Sequence, residues 1–222
     1  MHFKFVDIGT SDFDTQLSKR TVDDKILLVE PLFYYLRNLP DGEGIFKANF
    51  AVSDANGFGK MFYVKTETIK EHGMPSWVRG CNSLNTKHPT VLRILKELQK
   101  SEDLISQEEV RILSFQKLVE LYEVTSIDIL KIDTEGHDAV ILGNVYQAIQ
   151  AGFQIKEIQF EYIPEFAGVK DPLSCCKALD AQLILFRTLG FTKQVFAGCG
   201  YNLTRGPKTA QMFMTGAVVV PS

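Results

Sequence analysis

The sequence predicts an α/β fold: a doubly wound, mostly parallel sheet with an antiparallel hairpin at its C-terminal end. Three observations carry this expectation. Strand-length apolar runs alternate with helix-length amphipathic stretches, the first run ends in Asp-Ile-Gly before small polar residues, and the chain closes on two further apolar runs around a glycine-rich excursion. Buried strands alternating with helices pack as parallel sheets, and such sheets bind ligands beyond the carboxyl ends of their strands.

The strand candidates, in order, are FKFVDI (Phe3 to Ile8), ILLVE (Ile26 to Glu30), FKANFAV (Phe46 to Val52), SIDILKID (Ser126 to Asp133) and IKEIQFEYI (Ile155 to Ile163). Between the first two, Thr15 to Asp24 can form a helix. Asp138 to Ala151 places Val140, Ile141, Val145, Ala148 and Ile149 at helical spacing, and Pro172 to Leu189 aligns Leu179, Leu183, Phe186 and Leu189 on one stripe. "SDANGFGKMFYV" contains Asn56-Gly57, a hairpin signal, so the chain is expected to double back there as extra strands. The run GFTKQVFAGCGYNL and the closing QMFMTGAVVV supply the C-terminal hairpin. Lys65 to Gln107 fits no strand of the repeat and reads as an insertion holding the sole tryptophan, Trp77, and a helix over Val91 to Lys100. One domain across residues 1–222, with a lid or substrate insertion at 65–107, is the expected organisation.

Composition narrows the function classes. A formal net charge of −3 gives no general attraction to nucleic acid or anionic membrane. No apolar run approaches the roughly 20 residues of a spanning helix, and MHFKFVDIG reads as a strand rather than a signal peptide. Cys81, Cys175, Cys176 and Cys199 show neither metal-ligand spacing nor a disulfide framework, which points to reduced thiols and the cytoplasm.

Chemistry concentrates at the strand ends. Gly9 allows close backbone approach as the first strand turns, Thr10 and Ser11 offer hydroxyls and amides, and Asp7 can orient the loop or meet a cation. A dinucleotide fingerprint would have three glycines here. The chain has one, with bulky Phe13 and the carboxylates of Asp12 and Asp14, which would repel a pyrophosphate and suit a cationic cofactor better. Glu30 stands about 20 residues past the turn, the place of an acid that accepts ribose hydroxyls. A first-turn helix acid ahead of Pro31 is the plainer alternative, and the pairing with Gly9 favours the ribose role. In "DILKIDTEGHDAVILG", Lys131, Asp133, Glu135 and His137 crowd one strand terminus. Glu161, within the apolar run QFEYI, is expected to face the rim or to meet Lys131 or a metal.

Together "VDIG", "VEP", "NFAVSDANG", "IDILKIDTEGHDAVILG", "IQFEY" and the later "LGF" resemble the FkbM family of methyltransferases, from about Phe5 to Tyr162. The Lys-x-Asp-x-Glu-Gly element is the most family-specific piece. That resemblance implies a Rossmann-like class I fold and S-adenosylmethionine as cofactor, with methylation of a hydroxyl on a sugar or natural product. It further implies that Gly9, Thr10 and Ser11 line the methionine end, that Glu30 holds the ribose, that Asp54 lies near the adenine, and that Asp133 and Glu135 stand where sulfonium and acceptor meet. Phe13 replaces a second glycine common in the family, and His137 a frequent alanine.

A hydroxyl acceptor needs a base within hydrogen-bond reach, for which Asp133 and His137 rank ahead of Glu135. Trp77, Arg79, Asn82, Ser83 and His88 are assigned to the side of a small-molecule or glycan acceptor. No metal is assigned, although Mg²⁺ among Asp133, Glu135 and Glu161 is a variant, since hard cations prefer oxygen ligands. Two rival readings are a non-catalytic cofactor-binding module and an NAD(P)-dependent oxidoreductase, the latter disfavoured by the missing glycines.

Overall fold

The computed structural model describes residues 1–13, 15–161, 185–195, 200–205 and 218–219. Along the chain run β1 (His2–Ile8), β2 (Ile26–Val29), β3 (Ile45–Ala48), β4 (Ala51–Ser53), β5 (Gly57–Tyr63), β6 (Ser83–Leu84), β7 (Ser106–Ser114), β8 (Ser126–Ile132), β9 (Gln154–Glu161), β10 (Phe191–Val195), β11 (Gly200–Arg205) and β12 (Val218–Val219). The α-helices are α1 (Phe33–Leu36), α2 (Thr66–Glu71), α3 (Pro89–Glu97), α4 (Phe115–Leu121) and α5 (Asp138–Gln150).

The expected parallel sheet is present. β3, β2, β1, β8 and β9 lie side by side with every pairing parallel. Side chains alternate across its two faces: Leu27 and Val29 join the cluster under α4 and α5, whereas Ile26 and Leu28 join a smaller one with Leu36 and Leu39. All four β2 side chains are buried, which explains an unbroken apolar run where a one-faced strand would alternate. β1 leads outward to β2 and β3, and β8 leads the other way to β9. The order of travel reverses between β1 and β8, so a crevice opens at their carboxyl ends.

β11 pairs antiparallel with β9, and β10 antiparallel with β11 and β12. The turn between β10 and β11 and the QMFMTG run of the expected C-terminal hairpin lie outside the described residues, as does the Pro172 to Leu189 helix apart from a short turn at 185–188.

Three expectations change. FKANFAV is two strands in different sheets, because Asn49 Nδ2 donates to the Glu30 and Pro31 carbonyls at 3.0 and 2.8 Å and turns the chain out of the main sheet. Asn56-Gly57 does not close a hairpin. β4 and β5 instead flank β7, which runs parallel to the first and antiparallel to the second, and the Asn56 side chain accepts from Ser114 N at 2.9 Å. Between Thr15 and Asp24 only a 3-10 turn forms, Gln16–Lys19, because Asp24 caps the Thr21 amide at 2.8 Å and diverts the chain from a helix.

The insertion is more ordered than an open loop. Ile69, Met74, Val78, Val91, Ile94 and Leu95 form a core of their own, with α3 starting at Pro89 behind the His88 cap. Among the described residues no helix is long and apolar enough to cross a membrane.

Gly9 joins the two halves of the sheet. Its φ is +79°, and a Cβ there would meet the Asp133 carbonyl oxygen at 1.9 Å. Gly9→Ala is therefore expected to cost about 3 kcal/mol or more in urea unfolding, from backbone strain plus overpacking. A loss under about 1 kcal/mol would mean that the β1–β8 seam can yield.

Candidate functional site

The loop after β1 is held to the neighbouring strand by short bonds. Gly9 N donates to Val29 O at 2.9 Å, and Ser11, at φ 50°, donates its amide to Glu30 Oε2 at 2.8 Å. The other Glu30 oxygen accepts from Leu32 N at 2.9 Å. One buried carboxylate thus pins the β1 loop to the start of α1. Burial pushes Glu30 up to about 7, with the Asp12 and Asp7 carboxylates adding to the rise and the two amides opposing it.

Asp7 and Thr10 support this loop from beneath. Asp7 is fully buried and accepts from Gln16 N at 2.9 Å, with Lys131 Nζ 3.9 Å from its other oxygen. Lys131 Nζ is also 3.2 Å from Asp133 Oδ2, so a chain of alternating charges crosses from β1 to β8. The Thr10 hydroxyl, buried, donates to Ser11 O.

The turn from β8 into α5 is tight. Glu135 and Gly136 both take positive φ, 53° and 98°, and Asp138 accepts from Thr134 N at 2.9 Å and from the Thr134 hydroxyl. Glu135 thus holds a left-handed conformation that a non-glycine residue seldom adopts. His137 Nε2 lies 2.8 Å from Ser53 Oγ, which itself donates to Asp54 Oδ1 at 3.0 Å. A hydroxyl has a single proton and a carboxylate only accepts, so His137 Nε2 must be the donor and Nδ1 the ring's basic nitrogen. Burial lowers the His137 pKa against the pull of Asp54.

These elements surround a cavity of about 420 Å³ whose lining includes Gly9, Ser11, Glu30, Asp133, Glu135 and His137. Phe50, Ala51 and Val52 contribute an apolar wall, and the insertion closes the other side with Trp77, Cys81, Asn82, Thr90 and Arg93. At the rim the Arg79 guanidinium sits 4.0 Å above the Phe13 ring and 3.4 Å from Asp12, so the β1 loop and the insertion clasp each other. Two polar atoms of lining residues, Ser11 Oγ and Asn82 Oδ1, are buried with no hydrogen-bond partner among the described residues. Buried polar atoms of this kind suit a ligand that completes their bonds.

The structure thus brings together Gly9, Ser11, Glu30, Asp133, Glu135, His137, Trp77 and Asn82 on one surface. Asp7, Thr10, Asp54, Arg79, Ser83 and His88 are outside that lining. Asp54 is exposed and orients His137 through Ser53, a link that no spacing in the sequence announces. Ser83 is buried in β6, 3.4 Å from the Thr86 hydroxyl. His88 is buried behind the wall: Nδ1 accepts from Thr90 N at 3.2 Å, and Nε2 lies 3.2 Å from Glu135 Oε2. Burial holds its pKa down at about 4, so the ring is neutral near pH 7. The side chains of Glu161 and Asp14 lie outside the described residues. Phe13, read from sequence as bulk in a cofactor turn, is half-exposed at the rim.

A family model described as the methyltransferase FkbM domain matches residues 6–203. No curated protein and no solved structure matches the chain.

Glu30 makes stability depend on pH. Its folded pKa of about 7 stands above the ordinary 4.5, so its contribution is complete below about 4.5 and is lost as pH rises through about 7. Unfolding measured from about pH 5 to 8 is expected to show stability falling, with a Glu30 share of up to about 3 kcal/mol. Glu30→Gln should remove that slope while lowering stability throughout, because Ser11 N and Leu32 N donate to different Glu30 oxygens and the Gln NH2 would face one of these donors. An unchanged slope in the variant would assign the titration to another group.

Proposed function

The chain belongs to the FkbM methyltransferase family, and from that premise we propose that it transfers a methyl group from S-adenosylmethionine to a hydroxyl oxygen of a sugar or small natural product. The observation that carries the reading is the cavity at the sheet's reversal point, where the buried acid Glu30, the Gly9 turn and the Asp133–His137 cluster share one lining. Ser11 Oγ and Asn82 Oδ1, buried with no partner among the described residues, fit a ligand rich in hydroxyl and amino groups.

When bound, S-adenosylmethionine supplies the electrophilic methyl on a sulfonium cation. Glu30 accepts ribose hydroxyls with the lone pairs that the Ser11 and Leu32 amides leave open. Gly9 and Ser11 line the cavity where the chain turns out of β1, and Phe50 to Val52 give the adenine an apolar wall. The acids at the β1 and β8 ends favour a cation over a pyrophosphate.

On the acceptor side, Trp77 and Asn82 provide an aromatic face and an amide. His137 takes the acceptor's proton at Nδ1, its tautomer set by Ser53 and Asp54, and Asp133 is the second candidate base. In-line transfer needs mainly positioning of donor and acceptor, so the clasp between Phe13, Arg79 and Asp12 acts by holding the insertion over the cavity. The family's usual small-molecule chemistry accords with the absence of any strongly basic charge balance.

Calorimetric titration tests the cofactor. S-adenosylmethionine and S-adenosylhomocysteine are expected to bind with Kd values on the order of micromolar, weakened about 10-fold or more by Glu30→Ala, while NADH gives no heat. Binding of NADH in preference to both sulfur compounds would overturn the reading.

A further inference from the structure

Cys81, His88 and Glu135 come from three separate segments: the end of the 3-10 turn Ser76–Gly80, the cap of α3, and the turn after β8. One ligand atom from each, a sulfur, a ring nitrogen and a carboxylate oxygen, lies within 4.8 Å of the other two. His88 Nε2 and Glu135 Oε2 are already 3.2 Å apart. Cys81 and His88 are buried, and Glu135 is largely so.

We infer that these three side chains form a zinc-binding site in the wall of the cavity. The donor set decides the metal. Magnesium and calcium take oxygen ligands, whereas thiolate, imidazole and carboxylate together suit zinc. Tetrahedral zinc, with bonds of about 2.0–2.3 Å, needs donors roughly 3.3–3.8 Å apart, so the cluster needs to close by at most about 1.5 Å.

A proton relay through the same trio is a poorer match. His88 Nδ1 is engaged by the Thr90 amide, so the ring presents only its Nε2 side to the cluster. A relay requires one ring nitrogen for the nucleophile and the other for the acid.

Loading balances simply. The Cys81 thiol proton leaves to solvent, the His88 ring keeps its single proton on Nδ1 in place of Nε2, and the 3.2 Å Thr90 contact opens. Because Cys81 and Glu135 also line the cavity, the ion's remaining coordination faces the space assigned to the acceptor. That leaves Asp133 and His137 as proton-transfer groups and gives Glu135 a separate task. The inference stands on the three side chains and does not depend on methyl transfer.

Metal binding can be read without activity. The full chain, stripped of metal with a chelator, is titrated with Co²⁺ as a spectroscopic stand-in. Expected are intense tetrahedral d–d bands and a sulfur-to-cobalt charge-transfer band at one equivalent, lost in Cys81→Ser and kept in a Cys175→Ser/Cys176→Ser variant. Competition with a chromophoric chelator should show Zn²⁺ affinity falling about 10-fold or more in Glu135→Gln, which tests the site even if Cys81→Ser fails to fold. A charge-transfer band that survives in Cys81→Ser, no band in the wild type, or Zn²⁺ affinity unchanged in Glu135→Gln would each overturn the site.

Discussion

The centre of the molecule depends on how closely β1 and β8 pass where they end. Asp133 N donates to Ile8 O at 2.9 Å, Gly9 N donates to Val29 O at 2.9 Å, and the Asp133 carbonyl occupies the space a Gly9 side chain would need. Three strands are therefore stitched together at one level. Beyond it the chains diverge, the β1 loop toward Glu30 and the β8 turn toward α5, and the cavity is the gap they leave. A bulkier residue at position 9 would push the two loops apart and alter every distance in the site.

That constraint explains which parts of the protein were legible in its sequence. Gly9, Glu30 and the Lys131 to His137 cluster stand out because each ends an apolar run, and ends of parallel strands are where ligands bind. The five parallel strands follow from the same runs. Periodicity reports which residues face the core, but not which strand lies beside which. Hence β7 between β4 and β5 was invisible, and so was Asn49 leading the chain into a second sheet. The 3-10 turn at Gln16–Lys19 was missed because a side-chain cap from Asp24 outcompeted helical bonding.

Within the site, the missing information is of the same kind. Ser53 gives no signal in the sequence beyond its place at a strand end, yet it fixes the His137 tautomer. Cys81 has no partner at metal-ligand spacing, because the side chains it meets arrive from a helix cap and a distant turn. Asp54 was legible as an acid after the third strand and not as the anchor of a histidine. Residue type survives in a sequence; convergence of side chains from separate elements does not.

The cavity's acids are compensated in different ways, and the difference bears on what can bind. Asp133 has the Lys131 ammonium at 3.2 Å, and Glu135 has the His88 ring at 3.2 Å. Glu30 is held by two backbone amides and has no cation among its described partners, which is why burial can lift it to about 7. Near neutral pH it is balanced between its two forms. A positive charge in the same cavity favours the ionised form and releases the proton, so a cationic ligand binds more tightly as pH rises through that range. An anionic ligand would do the reverse. One carboxylate, anchored so that it cannot turn away, thus couples the sign of the ligand's charge to the protonation of the site.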